Sequence, residues 1–328
     1  MPRRTIDLRD GRPLLDIASY ARRGPERRDS LSHAELEHIR RTVEHTPEVM
    51  VKALSGGGQN LSAVQRHLGY LSRGGELEIE TDDGDRLHGK KAGRELVDRW
   101  DLDLDVCRRQ SDLRAVNRRQ PPKLAYKLIF SMPRGTPADK LAAAVRDFAR
   151  EEFARKHRYA MVLHSDEPHP HVHMVVKAIS EQGNRLHIQN ATLREWRLQF
   201  ARHLREQGVA ANATERAVRG EHGTTTIDAI YRAARRGKST YMRRRLSEIA
   251  AELSQGRLRI EPGKSTLEST RKEIERGWRA VSNILVRDGH IELAQKVARF
   301  VKTMPKLRTD KERLALQLLE HSRGGRSL

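Results

Sequence analysis

The sequence predicts an α+β fold, with a mostly antiparallel central sheet flanked by helices and followed by a smaller helical segment. Strand-like and helical patterns alternate irregularly, and short turns separate neighbouring strands, which is typical of an α+β domain. Beyond about residue 224 the strand patterns stop and helical patterns continue to Leu319. We therefore expect an N-terminal accessory arm (1–46), an α+β domain (47–223) and a helical C-terminal domain (224–328).

The elements before residue 101 follow from apolar periodicity and turn residues. Ser32, with Glu35 three residues later, is typical of a capping box at the start of a helix. Leu61, Val64, Leu68 and Leu71 form one stripe of a second helix. The predicted elements are a helix from Ser32, a strand over 49–54, a helix over 61–72, a hairpin beginning at 76–80 with its turn at Asp83-Gly84, and a helix over 90–100.

The rest of the α+β domain is predicted in the same way. The turn-rich stretch 132–137 separates a strand from an Ala-rich helix, and Gly208 ends a later helix. The predicted elements are strands over 123–131, 159–163, 171–178 and 185–188, and helices over 138–156 and 193–207.

Composition favours a polyanionic partner. The chain has 64 Lys+Arg against 44 Asp+Glu, a formal net charge of +20, and the basic residues concentrate in 106–134 and 201–245. Such clusters beside the predicted sheet could bind the phosphates along a sugar-phosphate backbone. The alternative is a basic surface that only confers solubility. Aromatic residues make up 4% of the chain, so base stacking is not expected to dominate recognition.

Several classes of protein are excluded by what the sequence lacks. A single cysteine, Cys107, excludes an internal disulfide framework and a cysteine-based zinc site. No apolar stretch reaches the length of a membrane span, and the N-terminus lacks the apolar core of a signal peptide. We expect a cytoplasmic protein with no membrane insertion.

The stretch His164-Ser-Asp-Glu-Pro-His-Pro-His-Val-His173 has the densest chemistry in the chain. If a strand begins at His171, period-two alternation puts His171 and His173 on one face. His164 ends the preceding apolar run and could reach them from an antiparallel neighbour. Three neutral imidazoles would then hold one divalent cation and leave positions open, which is typical of a catalytic ion. The alternative is a set of solvated loop histidines.

The neighbouring polar residues have less specific interpretations. Asp166 and Glu167 could orient a ligand imidazole or accept a proton, and Asp166 is preferred. His169 falls outside the predicted strand and could bind substrate or have no role. Tyr70 lies off the apolar stripe of its helix, beside His67. From the residues alone, nothing raises Tyr70 far above Tyr126 or Tyr159 as a nucleophile.

Four ordered motifs resemble those of conjugative relaxases in the HUH endonuclease superfamily, and most closely the branch that contains the T-DNA border nuclease. The stretch Asn212-Ala-Thr-Glu-Arg-Ala-Val-Arg-Gly220 is also similar to that branch, and the resemblance runs from about residue 48 to 222. The motifs are Ser55-Gly-Gly-Gly58, His67-Leu-Gly-Tyr-Leu-Ser-Arg73 with the Gly-Gly-Glu-Leu-Glu78 that follows, Ser131-Met-Pro-Arg-Gly-Thr136, and the histidine stretch ending at His173.

The resemblance implies that 47–223 is a nuclease domain that nicks one DNA strand at an origin of transfer and can rejoin it. Tyr70 would be the nucleophile that becomes linked to the 5′ phosphate, and His164, His171 and His173 would be the metal ligands. An unperturbed tyrosine has a pKa of about 10, so it would need a base or a cationic neighbour. The residues expected to bind DNA are Ser131, Arg73, Arg134, Arg216 and Arg219, and possible accessory residues are His169, Glu167 and His67.

The resemblance also implies a cofactor and partners. A divalent metal ion is expected, with Mg or Mn first and Zn, Co or Ni as alternatives. Single-stranded DNA at an origin of transfer, relaxosome accessory proteins and a type IV secretion coupling protein are the expected partners. The expected location is the bacterial cytoplasm, with export alongside the DNA as a further option. Competing functions are an HUH replication initiator or transposase, or a non-catalytic DNA-binding protein with a structural metal site.

Overall fold

The fold is described from a computed structural model, which covers residues 17, 30–54, 58, 60–102, 123–154, 156–221 and 238–324. These residues fall into two compact units. The first contains the described part of 45–213, and the second contains the described parts of 15–44 and 214–328. Residues 214–221, which lie in the predicted α+β domain, therefore group with the second unit.

The first unit is built on a six-stranded sheet in which all neighbouring strands are antiparallel, with the order β1-β4-β6-β5-β2-β3. This sheet confirms the predicted fold class. The strands are β1 (Met50–Ala53), β2 (Ile79–Thr81), β3 (Arg86–Leu87), β4 (Ala125–Ser131), β5 (Tyr159–His164) and β6 (His171–Lys177).

The helices agree with the predicted capping and periodicity. Asn60 caps α2 by accepting a hydrogen bond from the Ala63 amide, and Ser32 and Glu35 form the predicted capping box. The helices are α1 (His33–Val43), α2 (Leu61–Leu71), α3 (Ala92–Arg99), α4 (Ala138–Phe153), α5 (Asn190–Glu206), α6 (Thr240–Ser254), α7 (Lys264–Arg287), α8 (Ile291–Thr303) and α9 (Asp310–Gly324).

The two faces of the sheet are covered by different helices. Leu128 and Phe130 of β4 belong to a cluster with Phe148 of α4 and Trp196 and Phe200 of α5. Ala125, Val162 and Val175 belong instead to a cluster with residues of α2 and α3, including Val64 and Leu68. Because side chains alternate along a strand, the odd-numbered residues of β4 and β6 and the even-numbered residues of β1 and β5 share the second face, which we call the α2 face.

The antiparallel register arranges the α2 face in rows that run across the strands. The first row lies at the edge of the sheet where β1 and β6 begin and where β4 and β5 finish. The second row lies two residues further into each strand. The first row is Met50, Ser131, His171 and His164, and the second is Lys52, Ile129, His173 and Val162. The three histidines expected to converge therefore lie in adjacent positions.

The strand expected over 185–188 is wrong. Ile179 and Arg185 form an isolated bridge, and residues 186–189 have no strand partner among the residues that the structure describes. Leu186 and Ile188 pack against the cluster on the α4 and α5 face instead. Leu186 and Ile188 therefore alternate with His187 because both side chains pack beside the sheet, and not because the segment is paired as a strand.

The second unit is helical, as expected for the C-terminal part of the chain. Its core joins α1, α7 and α8, and Trp278 is its largest fully buried side chain. The Trp278 Nε1 donates a hydrogen bond to the Val218 carbonyl at 2.9 Å, and its ring packs on Phe300. Within the described residues, no helix combines the length and the apolar character that a membrane crossing requires.

The turn after α2 depends on Gly75. Its φ is +99°, and a methyl group there would overlap the backbone of Gly89, whose amide donates to the Gly75 carbonyl at 3.1 Å. The neighbouring Gly74 has a φ of +72° with open space around the same position. Both glycines adopt left-handed backbone, but only Gly75 is also in close contact with another segment.

We predict that Gly75→Ala destabilises the protein more than Gly74→Ala. The backbone strain alone costs about 1 kcal/mol, and the overlap with Gly89 adds roughly 1–3 kcal/mol. Urea unfolding of the two variants and the unmodified protein measures the difference. Equal losses in the two variants would show that the Gly75–Gly89 approach relaxes freely.

Candidate active site

Three histidines meet at one end of the sheet on the α2 face. His171 and His173 lie two residues apart on β6, and His164 on β5 is paired directly with His171. The ring centroids are 4.7–5.0 Å apart. One ring nitrogen from each residue lies within 4.8 Å of the others. The structure thus brings together the three side chains that were expected to converge.

The surroundings of this cluster favour neutral imidazoles. His164 and His173 are buried, and burial lowers the pKa of both. The pKa of His173 falls to about 3, with further contributions from His164, His171 and His67. A neutral imidazole has one free lone pair, which is the form that binds a metal ion. Burial therefore favours in His164 and His173 the form that coordination requires.

Backbone carbonyls orient two of the three rings. The Nε2 of His164 donates to the Leu71 carbonyl at 2.8 Å, and the Nδ1 of His171 donates to the His169 carbonyl at 3.0 Å. Since a carbonyl only accepts, these bonds leave His164 Nδ1 and His171 Nε2 as the free lone pairs. The buried Nδ1 of His173 has no hydrogen-bond partner among the described residues. A cation would satisfy nitrogens that the protein itself leaves unpaired.

Tyr70 lies on the helix that contacts this cluster. The buried residues Leu68 and Leu71 anchor the last turn of α2, whereas the Tyr70 side chain is 71% exposed. The Tyr70 ring is nearly parallel to that of His67, with centroids 6.4 Å apart. Because Leu71 accepts the bond from His164, the residue after Tyr70 is fixed to the histidine cluster.

His67 resembles the buried histidines of the cluster in having a lowered pKa. Burial and then the charge of Lys127 lower its pKa to about 4. His67 is therefore neutral at pH 7, like His173. Among the described residues it is not one of the grouped ligand candidates, which are His164, His171 and His173.

Arg73 and Asp166 connect the turn after α2 to the loop between the histidine strands. Their side chains form an ion pair, and both are partly exposed. Arg73 has a φ of +52°, an uncommon conformation for a residue other than glycine. The ion pair places a cation near the end of α2. Asp166 was expected to orient a ligand imidazole or to accept a proton, and the structure shows its carboxylate paired with a guanidinium.

The other predicted residues near the cluster differ in solvent exposure. Ser131 is buried beside His171, and its hydroxyl donates to the Pro170 carbonyl at 3.4 Å. Arg134, Glu167 and His169 are exposed. His169 contributes its carbonyl to the orientation of His171, and its ring stays outside the grouped ligand candidates of the described residues.

Arg216 and Arg219 belong to the second unit and have different surroundings. Arg216 is exposed, whereas the Arg219 side chain is 12% exposed and pairs with Glu221 at 2.8 Å. Arg219 also donates to the Thr214 carbonyl. The guanidinium of Arg219 therefore serves its own loop, and this pairing does not support the expectation that Arg219 binds DNA.

Parts of the sequence prediction lie outside the described residues. These are Ser55, Gly56 and Gly57 of the first motif, Cys107, and the segments 103–122 and 222–237 of the basic clusters. The bond from His164 to the Leu71 carbonyl was missed by sequence reasoning, because a backbone acceptor has no signal in the sequence. The ion pair of Arg73 and Asp166 was also missed, although both residues were singled out separately.

Known proteins are similar to parts of this chain. Residues 82–209 match the family model "Relaxase: MobA/VirD2-like, nuclease domain". The T-DNA border endonuclease VirD2 of Agrobacterium fabrum is 26% identical over 229 residues, which is 64% of this chain and 49% of the relative. VirD2 of Rhizobium radiobacter is 30% identical over 188 residues, 53% of this chain and 43% of the relative.

The chain spans about half the length of these curated relatives or slightly less. A solved structure of the MobM relaxase domain bound to plasmid oriT DNA, with manganese, is 13% identical with a TM-score of 0.36, covering 57% of this chain and 98% of that one. Residues 82–209 therefore match the nuclease domain of MobA/VirD2-like relaxases, and more than half of the chain is similar to T-DNA border endonucleases.

Proposed function

We propose that this protein is a site- and strand-specific DNA nickase and transesterase that cleaves an origin of transfer and can rejoin it. The observation that carries this proposal is the hydrogen bond from His164 to the Leu71 carbonyl. It joins a group of three histidines, two of them buried, to the residue that follows an exposed tyrosine. The proposal takes the Tyr70 hydroxyl as the reactive group and the three histidines as the site of a divalent metal.

The proposed reaction is a single displacement at phosphorus. The Tyr70 hydroxyl oxygen bonds to the phosphorus as the bond to the 3′ oxygen breaks, giving a 5′-phosphotyrosine. The Tyr70 proton is lost and the departing 3′ oxygen gains one, so the products are the covalent adduct and a free 3′ hydroxyl. The phosphotyrosine conserves the phosphodiester energy, and attack by a 3′ hydroxyl reverses the step without ATP.

The histidines fit a divalent cation. We propose that His164, His171 and His173 hold it through the lone pairs that their backbone hydrogen bonds and burial leave free. When bound, such an ion supplies Lewis-acid stabilisation of charge on a non-bridging phosphate oxygen. A site of three imidazoles accepts Mn, Zn, Co and Ni readily and Mg less readily. Among Mg and Mn, which the resemblance put first, this donor set favours Mn.

We propose that Arg73 and Asp166 act together as positioning residues. Their ion pair links the turn that follows Tyr70 to the loop that precedes His171. The guanidinium occupies one carboxylate oxygen and holds the carboxylate between these two segments. Asp166 therefore serves placement of the tyrosine better than it serves proton removal.

The partners follow from the reaction. We propose single-stranded DNA at an origin of transfer as the substrate, with relaxosome accessory proteins and a type IV secretion coupling protein as assembly partners in the bacterial cytoplasm. The exposed Arg134 and Arg216 are candidate phosphate contacts, and buried Ser131 would need the loop at Pro170 to move to reach DNA. Residues 47–223 remain the proposed nuclease domain.

Tyr70→Phe should abolish the covalent protein–DNA adduct while single-stranded DNA binding persists. The change removes one oxygen from an exposed side chain, so the fold is not expected to suffer. A denaturing gel of the protein incubated with an origin-of-transfer oligonucleotide and Mn measures the adduct. Tyr126→Phe is the matched control and should react normally. A normal adduct with Tyr70→Phe would point to another nucleophile, such as Tyr20 or Tyr126.

His173→Ala and His171→Ala should each weaken Mn binding by at least about tenfold, since each removes one ligand. His169→Ala is the matched control, because its ring lies outside the cluster while its carbonyl is retained. Isothermal titration with Mn gives the affinities without reference to cleavage. Equal losses in all three variants would mean that the three ligands are wrongly assigned.

Asp166→Asn should slow adduct formation by about tenfold or more, because loss of the ion pair loosens the turn after Tyr70. Glu167→Gln is the matched control, since Glu167 is an exposed neighbour outside this ion pair. Single-turnover rates are measured from pH 5.5 to 9. If Asp166 acts through position, the variant is slower at every pH with an unchanged profile. Loss of an acid limb would make Asp166 the base instead.

A further inference from the structure

Two lysines lie on the α2 face beside the histidine cluster. Lys52 of the edge strand β1 occupies the same row as Ile129 and His173. Lys127 of β4 lies in the following row, opposite Val175. With strands about 4.8 Å apart, the Cα of Lys52 is about 10 Å from that of His173 across the sheet. The Cα of Lys127 is about 13 Å along β4 from that of Ser131.

This part of the face is not filled by the apolar cluster around α2. The cluster includes Ala125 and Val175 but neither Ile129 nor Met50, which are only partly buried. Lys52 is exposed and Lys127 is half-buried. Among the described residues, the apolar cluster therefore leaves uncovered a strip over β1 and β4 that leads to the histidines.

Neither lysine is neutralised by the part of the protein that is described. Among the described residues, no carboxylate forms an ion pair with Lys52 or Lys127. Burial, and then the charge of Lys123, lower the pKa of Lys127, and no carboxylate offsets them. A partly desolvated cation without a counter-ion is unfavourable, and a phosphate beside it would relieve that cost. Lys127 also lies near enough to His67 to lower its pKa.

We propose that Lys52 and Lys127 bind the backbone phosphates of the DNA strand next to the one held at the histidine cluster. The inference rests on the proposed function, because it needs a single strand whose scissile phosphate lies at the three histidines. The strip then directs the strand across β4 and β1, where the partly buried Ile129 adjoins both cations, opposite Lys52 and two residues from Lys127. Contacts of this kind fix the path of the strand and do not read its sequence.

The test is the salt dependence of single-stranded DNA binding by Lys52→Gln/Lys127→Gln. Each phosphate contact on a single strand contributes about 0.7 to the slope of log affinity against log salt, so the double variant should lose about one to one and a half units of slope. The probe is an origin-of-transfer oligonucleotide, measured by fluorescence anisotropy. Lys52→Arg/Lys127→Arg keeps both charges and should keep the slope.

The matched control is Lys140→Gln/Lys156→Gln, which removes the same charge from α4 and the residues just after it. The α4 helix packs on the opposite face of the sheet, so the slope should not change. Thermal unfolding is measured for each variant. A double variant at Lys52 and Lys127 with an unchanged slope overturns the proposal, whether or not its stability falls, because the lysines would then serve the fold alone.

Failure of the proposed function is seen separately. If the unmodified protein forms no covalent adduct with the oligonucleotide, the transesterase proposal fails whatever the salt slopes are. If the adduct forms and the slope does not respond to the two lysines, only the path of the strand is wrong. An equal loss of slope in the Lys140 and Lys156 control would also overturn the inference, since net charge alone would then explain the effect.

Discussion

The pairing of β5 with β6 is the constraint on which the candidate site depends. An antiparallel register that places His164 opposite His171 also places His173 on the same face, and pairs Ser131 of β4 with His171. A shift of one residue would turn the β6 histidines toward the opposite face, where Phe148 and Trp196 pack. The register is held by the alternating apolar residues of β6, since Val172 and Met174 must face that core. The same hydrophobic pattern that folds the sheet therefore assembles the three imidazoles.

The helix that bears Tyr70 is held on this sheet both by buried side chains and by polar contacts. Leu68 and Leu71 bury their side chains against the α2 face, and the Leu71 carbonyl accepts a hydrogen bond from His164. The ion pair between Arg73 and Asp166 adds a second link between the turn and the histidine loop. An exposed tyrosine is usually mobile, but here the backbone on its C-terminal side is held at two points. Catalysis by positioning requires this kind of restraint, because small displacements of a nucleophile cost large factors in rate.

The sheet and the histidine cluster could be predicted because Tyr159–His164 is an apolar run that ends in a histidine, and His171 and His173 alternate with Val172 at the start of a second apolar run. Tyr70 could be singled out only through resemblance to relaxases, since its exposed place on α2 has no pattern of its own. The strand expected at 185–188 was wrong because alternation alone does not supply a pairing partner. Arg219 was expected to contact DNA because it lies in a basic cluster. Its pairing with Glu221 is visible only in the structure. Side-chain partners and backbone acceptors are set by tertiary structure, and they account for most of what the sequence left open.

Mass spectrometry of the covalent adduct tests the central claim most directly. The protein is incubated with an origin-of-transfer oligonucleotide and Mn, digested with nuclease and protease, and the modified peptide is sequenced. A transesterase that works as proposed leaves a nucleotide attached through its 5′ phosphate to Tyr70, and the released oligonucleotide ends in a 3′ hydroxyl. A nucleotide on any other residue, or cleavage that leaves no protein-linked product, would contradict the assignment of the exposed tyrosine beside the three histidines as the nucleophile.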